Sequence, residues 1–189
     1  MEEKEIQYIE QCQQGNMEKF AKLYDKYAQA IYNFIYYKTM HKQTAEDITS
    51  LTFFKAMDKI ETFNSKDNFK AWLYKIARNS VIDHYRTSKA TTNIETIWDI
   101  SDQQSIVQQV DDKIKLDKVS TYLENFNKKQ REIIMMRLWD GLSYQEIALI
   151  TGQSEDNCRI LVSRGLKKIK QTLIVSLALI ILSAILCNS

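Results

Sequence analysis

The chain has 189 residues, no proline and four glycines, enough to bury one good-sized core or two small ones and poor in anything that breaks helices. Gly15, Gly141, Gly152 and Gly165 cannot spell a phosphate-cradling GxGxxG or GxxxxGKS loop, which excludes most nucleotide-dependent enzymes, and 26 basic against 24 acidic side chains leave the net charge close to neutral. Cys12, Cys158 and Cys187 form no CxxC pair and are odd in number, so neither a zinc site nor a disulfide framework is expected, and a reducing cytoplasm is.

The N-terminus, MEEKEIQYIEQCQQG, is charged and lacks an apolar h-region, so it does not read as a signal peptide. A short first helix is predicted around Glu5–Gln13. Asn16 is a candidate cap for the second, whose stripe is Phe20, Leu23, Tyr24, Tyr27, Ile31, Phe34 and Ile35. Thr44-Ala45-Glu46-Asp47 resembles a capping box that opens a third helix, marked by Ile48, Leu51, Phe53, Phe54 and Met57. Ser65 or Asp67 can cap a fourth, marked by Phe69, Trp72, Leu73, Ile76, Ala77 and Ile82. Residues 1–87 therefore read as a four-helix domain.

Residues 88–109 are rich in Thr, Ser, Gln and Asp with little period, and read as a linker. Residues 110–171 predict about four more helices, with capping boxes at Asn127–Gln130, Ser143–Glu146 and Ser154–Asn157. The fold class is thus all-α: two small helical domains joined by a flexible linker, then an apolar C-terminal helix. Basic and acidic side chains number 14 and 12 in residues 1–90, 3 and 6 in 91–119, and 9 and 6 in 120–189. Two mildly basic blocks flank an acidic middle, a weak signal for nucleic acid by itself.

From Tyr144 the pattern sharpens. Ile147 and Ala148 face inward, Gly152 suits a left-handed C′ position, and Cys158 and Leu161 return to the core of the next helix. That is the helix-turn-helix pattern. Its second helix offers Asn157, Arg159, Ile160, Ser163, Arg164 and Lys167 away from the core, side chains suited to base edges and phosphates. The competing reading is an ordinary helical hairpin with a solvated basic face.

Together, "NFKAWLYKIARNSVIDHYR" (68–86) and "LENFNKKQREIIMMRLWDGLSYQEIALITGQSEDNCRILVSRGLKKI" (123–169) resemble the extracytoplasmic-function sigma factors of bacterial RNA polymerase. The likeness covers about Phe20–Lys170, with an aromatic-basic helical domain first and a helix-turn-helix last. It implies a sigma factor that binds core RNA polymerase and directs promoter recognition, with an anti-sigma factor as a partner. The stretch "AEDITSLTFFKAM" (45–57) then corresponds to the polymerase contact, with Asp47, Ile48, Leu51 and Phe54 as its residues. Residues 64–86 correspond to the element that opens the minus-ten region.

There, Lys70, Lys75, Arg78 and Arg86 can neutralise phosphates. Trp72, Tyr74 and Tyr85 are rings on which unpaired bases stack, although Trp72 and Tyr74 equally suit the core. Asn79 and Asp83, four apart, share a helix face and can read base edges. The helix-turn-helix side chains correspond to minus-thirty-five recognition. Ser50-Leu51 and Cys158-Arg159-Ile160-Leu161 depart from the family pattern, and Ile160 can meet a thymine methyl. Strand opening by base capture needs no hydrolysis. No catalytic residue, metal or cofactor is expected, and His41 and His84 read as polar surface residues.

The tail, residues 172–189, holds fifteen charge-free residues from Leu173 to Cys187, LIVSLALIILSAILC. As a helix they span ~22 Å against a hydrocarbon core of ~30 Å. Lys167, Lys168 and Lys170 precede them as a cytoplasm-facing flank would. A tail anchor on the inner face of the membrane, a helix folded onto the protein or onto an anti-sigma partner, and a truncated gene end are the readings. Two rival functions stay open: a stand-alone helix-turn-helix regulator and a membrane-tethered adaptor that binds only protein.

Overall fold

The computed structural model describes residues 2–64, 66–88 and 126–187. Among these, every regular element is helical. They are α1 (Glu3–Gln13), α2 (Phe20–Thr39), α3 (Lys42–Lys59), α4 (Phe69–Ser88), α5 (Lys128–Leu138), α6 (Tyr144–Thr151) and α7 (Glu155–Cys187), with single 3-10 turns at Met17–Lys19 and Ile60–Thr62. Almost all of the expected linker, and Ser65, lie outside the described residues. The chain divides into two compact units, Met1–Gln103 with Gln145–Gln153, and Gln104–Tyr144 with Ser154–Ser189.

In the first unit α2 carries the core. Phe20, Leu23, Tyr27, Ile31, Phe34 and Ile35 are buried at helical spacing, each side chain contributing ~1.5–3 kcal/mol. Tyr24, expected in the same stripe, stays 45 % exposed. α4 answers with Phe69, Leu73, Tyr74, Ala77, Val81 and Tyr85. Phe34 meets Tyr74 with ring centres 5.0 Å apart, and Phe63, Phe69 and Trp72 form an aromatic cluster at 5.0–5.4 Å.

α1 is fastened by polar contacts. The Gln13 side-chain amide donates to the carbonyls of Ile60 and Phe63. Buried Glu5 accepts from the Tyr27 hydroxyl and from Lys26. Burial, with Glu5 beside it, pushes the Tyr27 hydroxyl far above its ordinary range.

α3 departs from expectation. Its buried face is Ala45, Ile48, Thr49, Thr52, Phe53 and Ala56, mostly small. The two threonine hydroxyls donate back to the carbonyls of Ala45 and Ile48 at 2.7 Å, so neither is orphaned by burial. Small side chains allow close approach around Ile48 and Phe53, and the other large ones, Leu51, Phe54 and Met57, point outward. The helix also starts earlier than its sequence suggests, because the His41 ring accepts from the Thr44 amide and takes the capping role expected of Thr44. Similarly Asn68 caps α4 through the Ala71 amide at 2.9 Å.

In the second unit α5 opens with the expected capping box, Asn127 and Gln130 exchanging side-chain contacts with each other's amides. Ile133, Ile134, Met136 and Leu142 are buried from one side, Cys158 and Val162 from α7. Val162, one turn after Cys158, takes the core place expected of Leu161, which is half-buried; Ala148, in the first unit, is half-buried too. Gly165 completes the row. A Cβ there would meet Ile134 Cδ1, so the crossing of α5 and α7 can keep its closeness only if that side chain shifts.

α7 continues to Cys187 as a 33-residue helix. Among the described residues, however, no helix is long and apolar enough to cross a membrane. The side chains of residues 173–187, on which the anticipated membrane anchor rests, lie outside the described ones.

Candidate nucleic-acid interface

α4 separates its two jobs by face. At 100° per residue Lys75, Asn79 and Arg86 lie within ~40° of one another, and all three are exposed. Trp72 and Arg78 are half-buried on the flanking faces, and Lys70 is half-buried on the far side of the helix's first turn. Trp72 leans on Phe63 and Phe69 with one part left open, so the ring is both core rim and a surface on which a base can stack. Tyr85 is different: it is buried, its hydroxyl donates to the Lys38 carbonyl at 3.2 Å, and burial raises its pKa. As placed, it belongs to the core and offers no stacking face.

Asp83 also differs from expectation. Its carboxylate lies 3.7 Å from Lys55 of α3 and 3.4 Å from Arg86. Two cations hold it, and Lys55 donates as well to the fully buried Ser80 hydroxyl at 3.2 Å. A carboxylate so engaged balances the charge of Arg86 while its side chain stays 47 % exposed. Lys55 carries no motif that marks it in the sequence.

On α3, Asp47, Leu51 and Phe54 recur at i, i+4 and i+7 and are exposed, Phe54 by 63 %. Met57 adjoins them at 38 %. Ile48 is 2 % exposed and belongs to the core behind this ridge. Single exposed apolar side chains are ordinary; a row of them on one helix marks a surface that meets a partner.

On α7, Ile160, Ser163, Arg164 and Lys167 are exposed within ~100° of arc, with half-buried Asn157 at one margin and exposed Arg159 at the other. The turn that leads into the helix is built as expected. Gly152 takes φ +71°, and the Ser154 hydroxyl accepts from the Asn157 amide at 3.2 Å. Arg159 donates to Glu155 at 2.8 Å and lies 3.8 Å from Asp156. Among the described residues no cluster of His, Cys, Asp or Glu is able to hold a metal.

The family description Sigma-70 region 2 matches residues 23–91, and Sigma-70, region 4 matches residues 116–169. The ECF RNA polymerase sigma factor BldN of Streptomyces coelicolor is 32 % identical over 176 residues, covering 89 % of this chain and 65 % of that protein. The chain belongs to the extracytoplasmic-function sigma-factor family. ECF RNA polymerase sigma factor SigX of Bacillus subtilis is 28 % identical over 162 residues, covering 82 % of this sigma factor and 83 % of its relative. Two solved structures share the fold. CnrH, in complex with the cytosolic domain of CnrY, has a TM-score of 0.68 at 20 % identity and covers 90 % of this chain and 97 % of that one. The sigma factor RpoE of Bartonella quintana, in complex with the anti-sigma factor NepR, has a TM-score of 0.66 at 24 % identity and covers 84 % and 98 %.

The region 2 match of this sigma factor contains α2 to α4 nearly whole, and the region 4 match contains α5, α6 and the first half of α7. The sequence marks the exposed basic face of α4 and the outward face of α7 because charge is legible in a helical register. It misses Lys55 and His41, since neither a lone lysine nor a histidine cap announces itself.

Proposed function

We propose that this chain acts in the cytoplasm as a non-enzymatic promoter-specificity subunit of RNA polymerase, carried by the polymerase through α3 and applied to DNA through α4 and α7. The observation that carries the reading is the outer face of α3. A helix that already buries Ile48 and Phe53 among alanines and threonines, yet exposes Leu51, Phe54 and Met57 in a row, is built to be covered by something else. Asp47 adds a charge at the end of that ridge, and Ile48 supports it from behind.

α4 supplies Lys75 and Arg86 for phosphates and Asn79 for a base edge, with Arg78 flanking, Lys70 at the helix start and Trp72 as the stacking surface. α7 supplies Arg159, Arg164, Ile160, Ser163, Asn157 and Lys167 to the minus-thirty-five element. Domain roles follow the two regions, 1–87 for the minus-ten element and 110–171 for the minus-thirty-five element. An anti-sigma factor belongs to the same reading, because masking Phe54 and its neighbours would withhold the chain from the polymerase.

The test is Phe54→Ser. The side chain is 63 % exposed, so the thermal midpoint should hardly move. Affinity for purified core polymerase should fall about tenfold or more, as removal of an aromatic anchor does. Undiminished binding would move the polymerase contact away from α3.

A further inference from the structure

Tyr144, the first residue of α6, belongs to none of the DNA-contacting sets above, yet two guanidiniums lie over its ring. That of Arg137 is 4.8 Å from the ring centre and that of Arg159 is 5.5 Å. Arg137 is itself fixed, donating to the Leu142 carbonyl at 3.0 Å across a turn that Gly141 makes at φ +61°. The ring therefore rests on an anchored cation and presents itself to a second one.

The second, Arg159, has a side chain 57 % exposed and would otherwise sample many rotamers. Three groups restrain it: the Tyr144 ring, the Glu155 carboxylate at 2.8 Å and the Asp156 carboxylate at 3.8 Å. A guanidinium carries five N–H donors in a planar fork, and the carboxylates engage two at most. Donors remain for a bidentate acceptor such as the O6/N7 edge of guanine. The same carboxylates repel phosphate oxygens, so they bias the restrained arginine toward a base edge over the backbone. Fixing the side chain before DNA arrives removes an ordering cost from binding.

We infer that Tyr144 is a positioning residue for Arg159: with Glu155 it holds the guanidinium in the orientation that reads one base pair, and so sets selectivity at a position it never touches. The inference rests on the reading of α7 as the minus-thirty-five helix.

The test uses holoenzyme reconstituted from core polymerase and the full chain, sorting a duplex library randomised upstream of the start site. Arg159→Ala should flatten the preference at one base pair by about tenfold, the discrimination of one bidentate contact. Tyr144→Leu should flatten the same base pair, Tyr144→Phe should keep most of the preference because it keeps the ring, and the Tyr144→Leu/Arg159→Ala pair should be no worse than Arg159→Ala. Glu155→Gln, which leaves the ring in place, should shift that base pair in the same direction and so guards against misfolding of the leucine variant.

Equal weakening on all sequences by Tyr144→Leu, or a further loss on top of Arg159→Ala, would reduce Tyr144 to packing and overturn the inference alone. If Arg159→Ala leaves every base preference intact, the minus-thirty-five role of Arg159 fails and the inference with it.

Discussion

Gly165 shows how a single missing atom can fix a helix crossing. A Cβ there would sit 2.4 Å from Cδ1 and 3.0 Å from Cγ1 of Ile134, with the Phe126 ring 3.7 Å away. Ile134 is fully buried, so its Cδ1 has to move within the core to admit a Cβ. Gly165→Ala should gain ~1 kcal/mol in helix propensity but lose ~1–3 kcal/mol to overpacking, for a net fall in thermal midpoint. Adding Ile134→Val should recover part of the loss; a stabilised Gly165→Ala chain would contradict the close crossing. Tyr27 gives a second residue-scale expectation. Burial, then its bond to Glu5, raises its hydroxyl pKa, and burial does the same at Tyr85. In the unfolded chain both ionise near pH ~10. Their contribution to stability is therefore complete below about pH 10 and is lost as pH rises toward the folded values. Denaturant titrations across that range should show stability falling above about pH 10, less steeply in Tyr27→Phe, with up to ~1.4 kcal/mol per pH unit belonging to each group.

At the scale of the element, α3 and α4 explain what was legible. α2 reads directly because its large apolar residues are its core. α3 reads only in part: Ile48 and Phe53 are buried as their spacing suggests, but the rest of the seam is alanine and threonine, and Leu51, Phe54 and Met57 lie on the outer face. On α4 the charges of Lys75 and Arg86 are legible at helical spacing, but the burial of Tyr85 and the pairing of Asp83 with Lys55 depend on α2 and α3, which no local pattern contains. On α7 the core row is displaced from Leu161 to Val162, a shift of one residue that spacing alone does not resolve. An expected outcome follows for the α4 face. Replacing Lys75 and Arg86 with alanine should weaken promoter binding on all sequences and lower the salt dependence by about one counterion per lost phosphate contact. Asn79→Ala should leave that slope alone and impair strand opening more than polymerase binding; equal loss of both would remove Asn79 from the opening step.

At the scale of the molecule, two helical units each present one charged helix face, and a third, apolar face on α3 has no role in either core. That combination suits a chain that is carried rather than one that acts alone. A stand-alone regulator needs one DNA-facing helix and has no use for the ridge of Leu51, Phe54 and Met57; a protein-binding adaptor has no use for the exposed row Lys75, Asn79 and Arg86. The measurement that separates all three most directly is run-off transcription with purified core polymerase on genomic promoter fragments, with and without this chain. Product is expected only when the chain is added, and expected to disappear with Phe54→Ser. A chain that binds specific duplex DNA by itself yet yields no product with core polymerase would contradict the assignment.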